Sequence, residues 1–212
     1  EAAAVRIAHE TRPLLPVLRH PRVVALLLVC FLSQLAHGLY YGYFTQYAVL
    51  DWHYSKNDTS VLWIVGVVAE IMVFLWMSRL LHRVSAWTLL IAALLGTALR
   101  FAALVWTMQS FWALMAVQTL HFLSFGVYHA ASVALIHHYF AGSLQARGQA
   151  LYSAVSYGVG GVCGSLLGGW LWRLGSGGAH AYHDAIFYAA AVAGLLGAGV
   201  VWLVRLKKFS AA

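Results

Sequence analysis

Three ionisable residues, Glu70, Arg100 and His121, stand inside long apolar runs of the chain. Such a group costs roughly 2.5–3.5 kcal/mol at the centre of a membrane helix on insertion scales, so its presence asks for a partner and a task. A carboxylate, a guanidinium and an imidazole make up a proton-relay set. In general a carboxyl shut away from water holds its proton more tightly, and a guanidinium brought close makes it let go. If helix movement brings Arg100 up to Glu70 or parts them, the proton affinity of Glu70 changes with conformation. The alternative is a static Glu70–Arg100 pair that only fixes helix packing.

Helical spacing gathers further side chains around these three. Gln118, His121, Phe125 and His129 are three or four apart and share one helix face. Gln34, His37, Tyr41 and Thr45 form a second stripe, and Trp63, Gly66, Glu70 and Phe74 a third. Stripes of this kind predict a shared cavity for a small organic solute, lined by Gln34, His37, Tyr41, Trp63, Gln118, Phe125 and His129. Hydrogen bonding between helices is the plainer explanation of the same residues. Gly158, Gly160, Gly161, Gly164, Gly168 and Gly169 repeat at small-xxx-small spacing, which permits either close backbone packing or a bending helix. His137–His138 and His180–His183–Asp184 lack a third ligand at fixed spacing, so no metal and no other cofactor is expected. No Walker loop, nucleophile elbow or pair of catalytic carboxylates occurs, which argues against an enzyme.

The elements that must position these residues follow from composition. The chain of 212 residues is 62% hydrophobic and 9% charged, with a mean hydropathy of +0.78. A soluble domain carries roughly 25% charged residues. So little charge cannot cover a water-exposed surface, which excludes a cytosolic enzyme, a secreted disulfide scaffold and a nucleic-acid-binding domain. The two cysteines, Cys30 and Cys163, sit in apolar runs and read as packing residues. A membrane helix needs about 20 apolar residues. Six segments qualify, at 23–47, 60–80, 87–106, 110–136, 149–172 and 185–205, all free of proline. The expected fold is all-α: an integral membrane bundle of six transmembrane helices over 23–206, with no partner nucleic acid. At 1.5 Å per residue, Glu70, Arg100 and His121 lie about 15, 10 and 16 Å from one bilayer face, so they can share a layer.

Lys and Arg fix the expected orientation, because cytoplasmic loops carry the excess. Arg6, Arg12, Arg19, Arg22, Arg79, Arg83, Arg147, Arg205, Lys207 and Lys208 fall on the side of both termini, and only Lys56 and Arg173 on the other. Ten against two predicts a multi-pass protein of the cytoplasmic (inner) membrane with both termini in the cytoplasm. The formal charge of +7 is then mostly a topology signal, with attraction to anionic lipid headgroups added. Residues 1–22 read as a basic cytoplasmic connector, since they lack the apolar core of a signal peptide, and 207–212 as a cytoplasmic tail. The chain opens on Glu1 rather than Met, which suggests a preceding portion.

Several runs resemble the major facilitator superfamily: His37–Gly38–Leu39–Tyr40–Tyr41–Gly42, Leu62–Trp63–Ile64–Val65–Gly66–Val67–Val68–Ala69–Glu70, Leu99–Arg100–Phe101, Gln118–Thr119–Leu120–His121–Phe122 and Leu151–Tyr152–Ser153–Ala154–Val155–Ser156–Tyr157. The likeness is to the carboxy-terminal half of proton-coupled symporters of the phenylpropionate permease group, over residues from about 15 to 208. Ser78–Arg79–Leu80–Leu81–His82–Arg83 departs from the superfamily's gating loop in having no Asp. The resemblance implies two six-helix halves with solute bound between them near the midplane, this chain being the second half and the first a missing partner. It also implies Glu70 as carrier of the coupling proton, Arg100 as its tuner and His121 as relay or solute contact, in proton-coupled transport of a small organic solute such as an aromatic carboxylate by alternating access. Two alternatives from other classes are a haem-binding membrane redox protein, with His37, His121 or His129 as axial ligands, and a membrane scaffold without transport.

Overall fold

The computed structural model of the protein describes residues 13–175 and 181–206. Residues 1–12 of the expected connector over 1–22, with Arg6 and Arg12, His180 of the His180–His183–Asp184 group, and the tail with Lys207 and Lys208 lie outside the described residues. A short helix, Leu14–Arg19, precedes six helices long and apolar enough to cross a bilayer. These spans, 1 to 6 in chain order, are Pro21–Asp51, Lys56–Arg83, Ala86–Thr107, Phe111–Tyr139, Gly142–Gly175 and Tyr182–Arg205. Among the described residues there is no strand. The helices outrun the apolar segments because helical hydrogen bonding continues through polar residues such as Lys56, Asp58, Arg79 and Arg83.

Polar caps set where the spans begin. Pro21 takes the first helical position of span 1, where its missing N–H costs nothing. Ser55 and Asp58 form a reciprocal capping box on span 2, and the Ser85 and Ser110 hydroxyls cap spans 3 and 4. Span 1 is the central post of the bundle, packed on spans 5 and 6, while span 3 packs on 4 and 6 and span 2 on 4.

Spans 1 and 5 approach more closely than side chains would allow. A Cβ on Gly38 would collide with the Gly161 carbonyl, one on Gly164 with the Leu35 carbonyl, and one on Gly160 would stand 2.7 Å from the Phe31 carbonyl oxygen. The glycine repeat of span 5 therefore serves close packing. Spans 2 and 5 also leave broad apolar faces uncovered, with Ile64, Val68, Ile71 and Leu75 on one and Val159, Val162 and Leu166 on the other.

The interior is layered. One apolar cluster contains Leu26, Cys30, Leu90, Leu94, Tyr128, Leu135 and Val201, near the end of the bundle that bears Arg22, Arg83 and Arg205. The other contains Leu39, Phe44, Leu62, Phe101, Leu104, Leu114 and Phe187, toward the far end. Along spans 1, 3 and 4 the residues that separate the two clusters are polar and buried: Ser33 and Gln34; Thr97 and Arg100; Gln118, His121 and Ser124.

Candidate functional site

The polar layer holds the three ionisable residues in a chain with the imidazole in the middle. Arg100, 1% exposed, directs one Nη at His121 Nδ1 (3.1 Å) and at Ser124 Oγ (3.3 Å). Its other Nη donates to Gln118 Oε1 at 2.9 Å, and the guanidinium carbon lies 4.4 Å from the centre of the Tyr40 ring. His121 Nε2 lies 3.2 Å from Glu70 Oε2. The expected direct approach of Arg100 to Glu70 is replaced by this bridge, because span 4 stands between the two helices that carry them. Gly66 makes room for it: a Cβ there would lie 3.4 Å from the Cβ of His121.

A guanidinium offers only donors. His121 Nδ1 must therefore accept from Arg100, which leaves the ring proton on Nε2, where it donates to the Glu70 carboxylate. A neutral imidazole thus relays the field of the guanidinium to the acid, and any change in its tautomer or position alters what Glu70 feels. Both His121 nitrogens are occupied in this arrangement, so neither is open to ligate haem iron.

The remaining stripe residues divide between two environments. His37 and Gln118 are fully buried. The His37 ring is enclosed by Tyr41, Phe101, His121 and Phe125, with Nδ1 donating to the Ser33 carbonyl at 2.8 Å. Its Nε2 and the Nε2 of Gln34 have no hydrogen-bond partner among the described residues. Gln118 is turned inward because the buried guanidinium needs an acceptor, and its Nε2 donates to Tyr40 Oη at 2.8 Å. Gln34 and Tyr41 line an open groove of about 400 Å³ between spans 1 and 5, with Gly38, Tyr157, Gly161 and Ser165. Trp63 donates to Thr45 Oγ1 at 3.0 Å and lines a separate groove of about 380 Å³ near Lys56. Of the seven residues expected to share a cavity, Gln34 and Tyr41 face the groove between spans 1 and 5, Trp63 faces the other, and Gln118 is held by Arg100.

Phe125 and His129 continue from His121 as a ladder of rings. His121 and Phe125 stack at 5.2 Å and 19°, Phe125 and His129 at 6.1 Å and 4°. Residues Phe122–Val127 form wider, π-helical turns. Such turns take up one extra residue, so side chains four apart fall nearly in line, and they recur at functional sites. His129 Nδ1 meets the hydroxyls of both Tyr152 and Tyr157 at 3.0 Å.

Sequence spacing did not point to Ser124, Tyr40, Tyr152 or Tyr157 as members of the network. Ser124 could have been found as the residue three beyond His121. The tyrosines join through tertiary packing alone. The same holds for a cluster at the far end, where His183 Nδ1 lies 2.6 Å from Asp51 Oδ2 and the ring stacks on Trp172 at 3.8 Å. There Tyr47 also hydrogen-bonds Asp184.

A six-helix bundle of membrane-spanning length, with a guanidinium–imidazole–carboxylate chain sealed between two apolar clusters, defines a multi-pass membrane domain built around a buried charged network. Residues 2–183 match the model of the MFS_1 like family, and the chain belongs to that family. It is similar to the Probable 3-phenylpropionic acid transporter of Escherichia coli (strain K12), with 36% identity over 136 residues, covering 61% of this chain and 33% of that relative. The match thus spans about a third of the relative's length. Both findings agree with the resemblance read from the runs around Glu70, Arg100 and His121.

Proposed function

We propose that this chain forms the proton-handling half of a secondary carrier that moves a small organic solute together with a proton by alternating access. The observation that carries this reading is the 3.2 Å contact of Glu70 with His121, itself 3.1 Å from Arg100. An acid in the polar layer, linked through one imidazole to a fixed cation, can take up or release a proton whenever the helices shift that link. A 100 mV potential supplies roughly 2.3 kcal/mol per proton, enough for an accumulation of tens-fold.

The name of the relative makes small aromatic carboxylates the first solutes to try on this chain. The groove edged by Gln34, Tyr41, Tyr157 and Ser165 offers the amide, hydroxyls and flat glycine wall suited to a ring with a polar end. The uncovered apolar faces of spans 2 and 5 fit a second six-helix half and the lipid around it. Arg22, Arg79, Arg83, Arg147 and Arg205 gather at one end, and that excess supports the reading of an inner-membrane protein with this end and both termini facing the cytoplasm.

The test is Glu70→Gln in the full-length protein, reconstituted in vesicles and supplied with labelled 3-phenylpropionic acid. Uphill accumulation is expected to vanish while exchange of internal for external solute persists. Accumulation equal to the unaltered protein would remove Glu70 from the coupling role.

A further inference from the structure

We propose that His129 is a second proton station, which takes the proton of Glu70 toward the basic end when the carboxyl swings past Gly126. The inference rests on the reading of Glu70 as proton carrier and adds the route by which its proton leaves.

Four features of the packing support it. Glu70 lies across from Gly126, whose hypothetical Cβ would stand 3.3 Å from Glu70 Cγ. The missing side chain lets the acid's stem and Val73 Cγ1, 2.7 Å from the same hypothetical Cβ, lie directly against span 4. His121 and His129 lie on span 4 on either side of Gly126, in register through the stacked Phe125 ring. Phe74, one helical turn beyond Glu70 on span 2, meets the His129 ring edge-on at 6.3 Å, so the Glu70 face of span 2 looks toward His129. Finally, His129 Nδ1 is engaged by two tyrosine hydroxyls, which leaves the other ring nitrogen, Nε2, to receive the proton.

The step balances simply. When Nδ1–H donates to the tyrosine oxygens, the neutral ring is in the tautomer whose Nε2 carries a lone pair. The Oε–H bond of protonated Glu70 breaks, an N–H bond forms at His129 Nε2, and a carboxylate and an imidazolium result. The imidazolium keeps its Nδ1–H bond and gives the new proton from Nε2 to water. Tyr157, 41% exposed, edges the groove between spans 1 and 5, the side from which water would reach Nε2. Tyr152 and Tyr157 act as positioning residues that hold the ring through Nδ1, and the carboxylate returns to His121 Nε2.

The experiment uses the full-length carrier in vesicles with labelled 3-phenylpropionic acid, comparing net proton-driven uptake with solute exchange, which needs no proton release. His129→Gln is expected to lower net uptake about 100-fold more than exchange, the low end of what a positioned proton acceptor contributes. Gly126→Ala, which puts a methyl group in the path of Glu70, and Tyr157→Phe are expected to show the same split more weakly. If His129→Gln lowers net uptake and exchange together, or neither, while Glu70→Gln still abolishes accumulation, His129 is no station and the Glu70 reading stands. If Glu70→Gln itself keeps full accumulation, the earlier reading fails and this one with it.

Discussion

The Nδ1 atom of His121 faces the guanidinium of Arg100 at 3.1 Å, and because a guanidinium only donates, that contact puts the neutral ring's proton on Nε2. His121 touches both charged groups, since Nε2 turns to Glu70. His121→Leu removes both bonds at once. Each charged partner is then left buried with one contact fewer, and unsatisfied buried groups cost about 1–3 kcal/mol each. Thermal unfolding of the purified protein in detergent should show a stability loss of about 2–4 kcal/mol, and an unchanged midpoint would mean the bridge carries no energy.

Gln118 holds Arg100 from the other side, and its two ends do unequal jobs. Its carbonyl accepts from a buried cation at 2.9 Å, whereas its amide donates to the neutral Tyr40 hydroxyl at 2.8 Å. Bonds to charged groups contribute about 1.5–3 kcal/mol and neutral ones about 1 kcal/mol. Gln118→Leu should therefore destabilise the protein more than Tyr40→Phe by at least about 1 kcal/mol. Denaturant unfolding of the two variants side by side would reveal the opposite order if Arg100 finds another acceptor.

The seam between spans 1 and 5 makes a prediction by contrast. A Cβ on Gly38 or Gly164 would meet backbone carbonyls of the facing helix, which cannot rotate aside, whereas one on Gly158 would meet nothing within 4 Å. Gly38→Ala and Gly164→Ala should each cost about 1–3 kcal/mol through forced separation of the helices. Gly158→Ala should be neutral or slightly stabilising, since alanine favours helix by about 1 kcal/mol over glycine. The fraction of monodisperse protein recovered after heating would rank the three variants, and equal recovery of all three would contradict the close-packed seam.

At the far end, Asp51 and His183 join residues 132 positions apart, and both ring nitrogens of His183 meet acceptors, Asp51 Oδ2 at 2.6 Å and the Trp172 carbonyl at 3.3 Å. The ends of spans 1, 5 and 6 are thereby tied at one imidazole. A double-mutant cycle on Asp51→Asn and His183→Ala should return a coupling of about 0.5–3 kcal/mol, the range for residues in direct contact. Strict additivity would show that the pair contributes nothing to holding the three helix ends together.

How much of this was legible before folding differs by element. The six helices follow from apolar runs without proline, and their starts follow from Ser55, Ser85, Ser110 and Pro21. The shared layer of Glu70, Arg100 and His121 followed from counting rise per residue, because antiparallel helices of similar length bring equal depths together. What counting cannot supply is which of three residues in a layer stands between the other two. That depends on the order of helices around the bundle axis, and a single helix's periodicity says nothing about its neighbours. The stripe on span 4 likewise came out as one face, yet its upper residue, Gln118, turned inward once a buried guanidinium required an acceptor.

The chain's own residues were enough to settle that it lives in lipid, because charge so sparse and apolar runs so long leave no water-soluble alternative, and to single out the few ionisable groups that burial makes costly. Packing alone decided that His121 mediates between Arg100 and Glu70, that Val73 and the stem of Glu70 press against Gly126, and that two tyrosines from span 5 meet His129. Those outcomes are set by contacts between helices far apart in the chain, where the energy of each polar group depends on which partner the fold delivers to it.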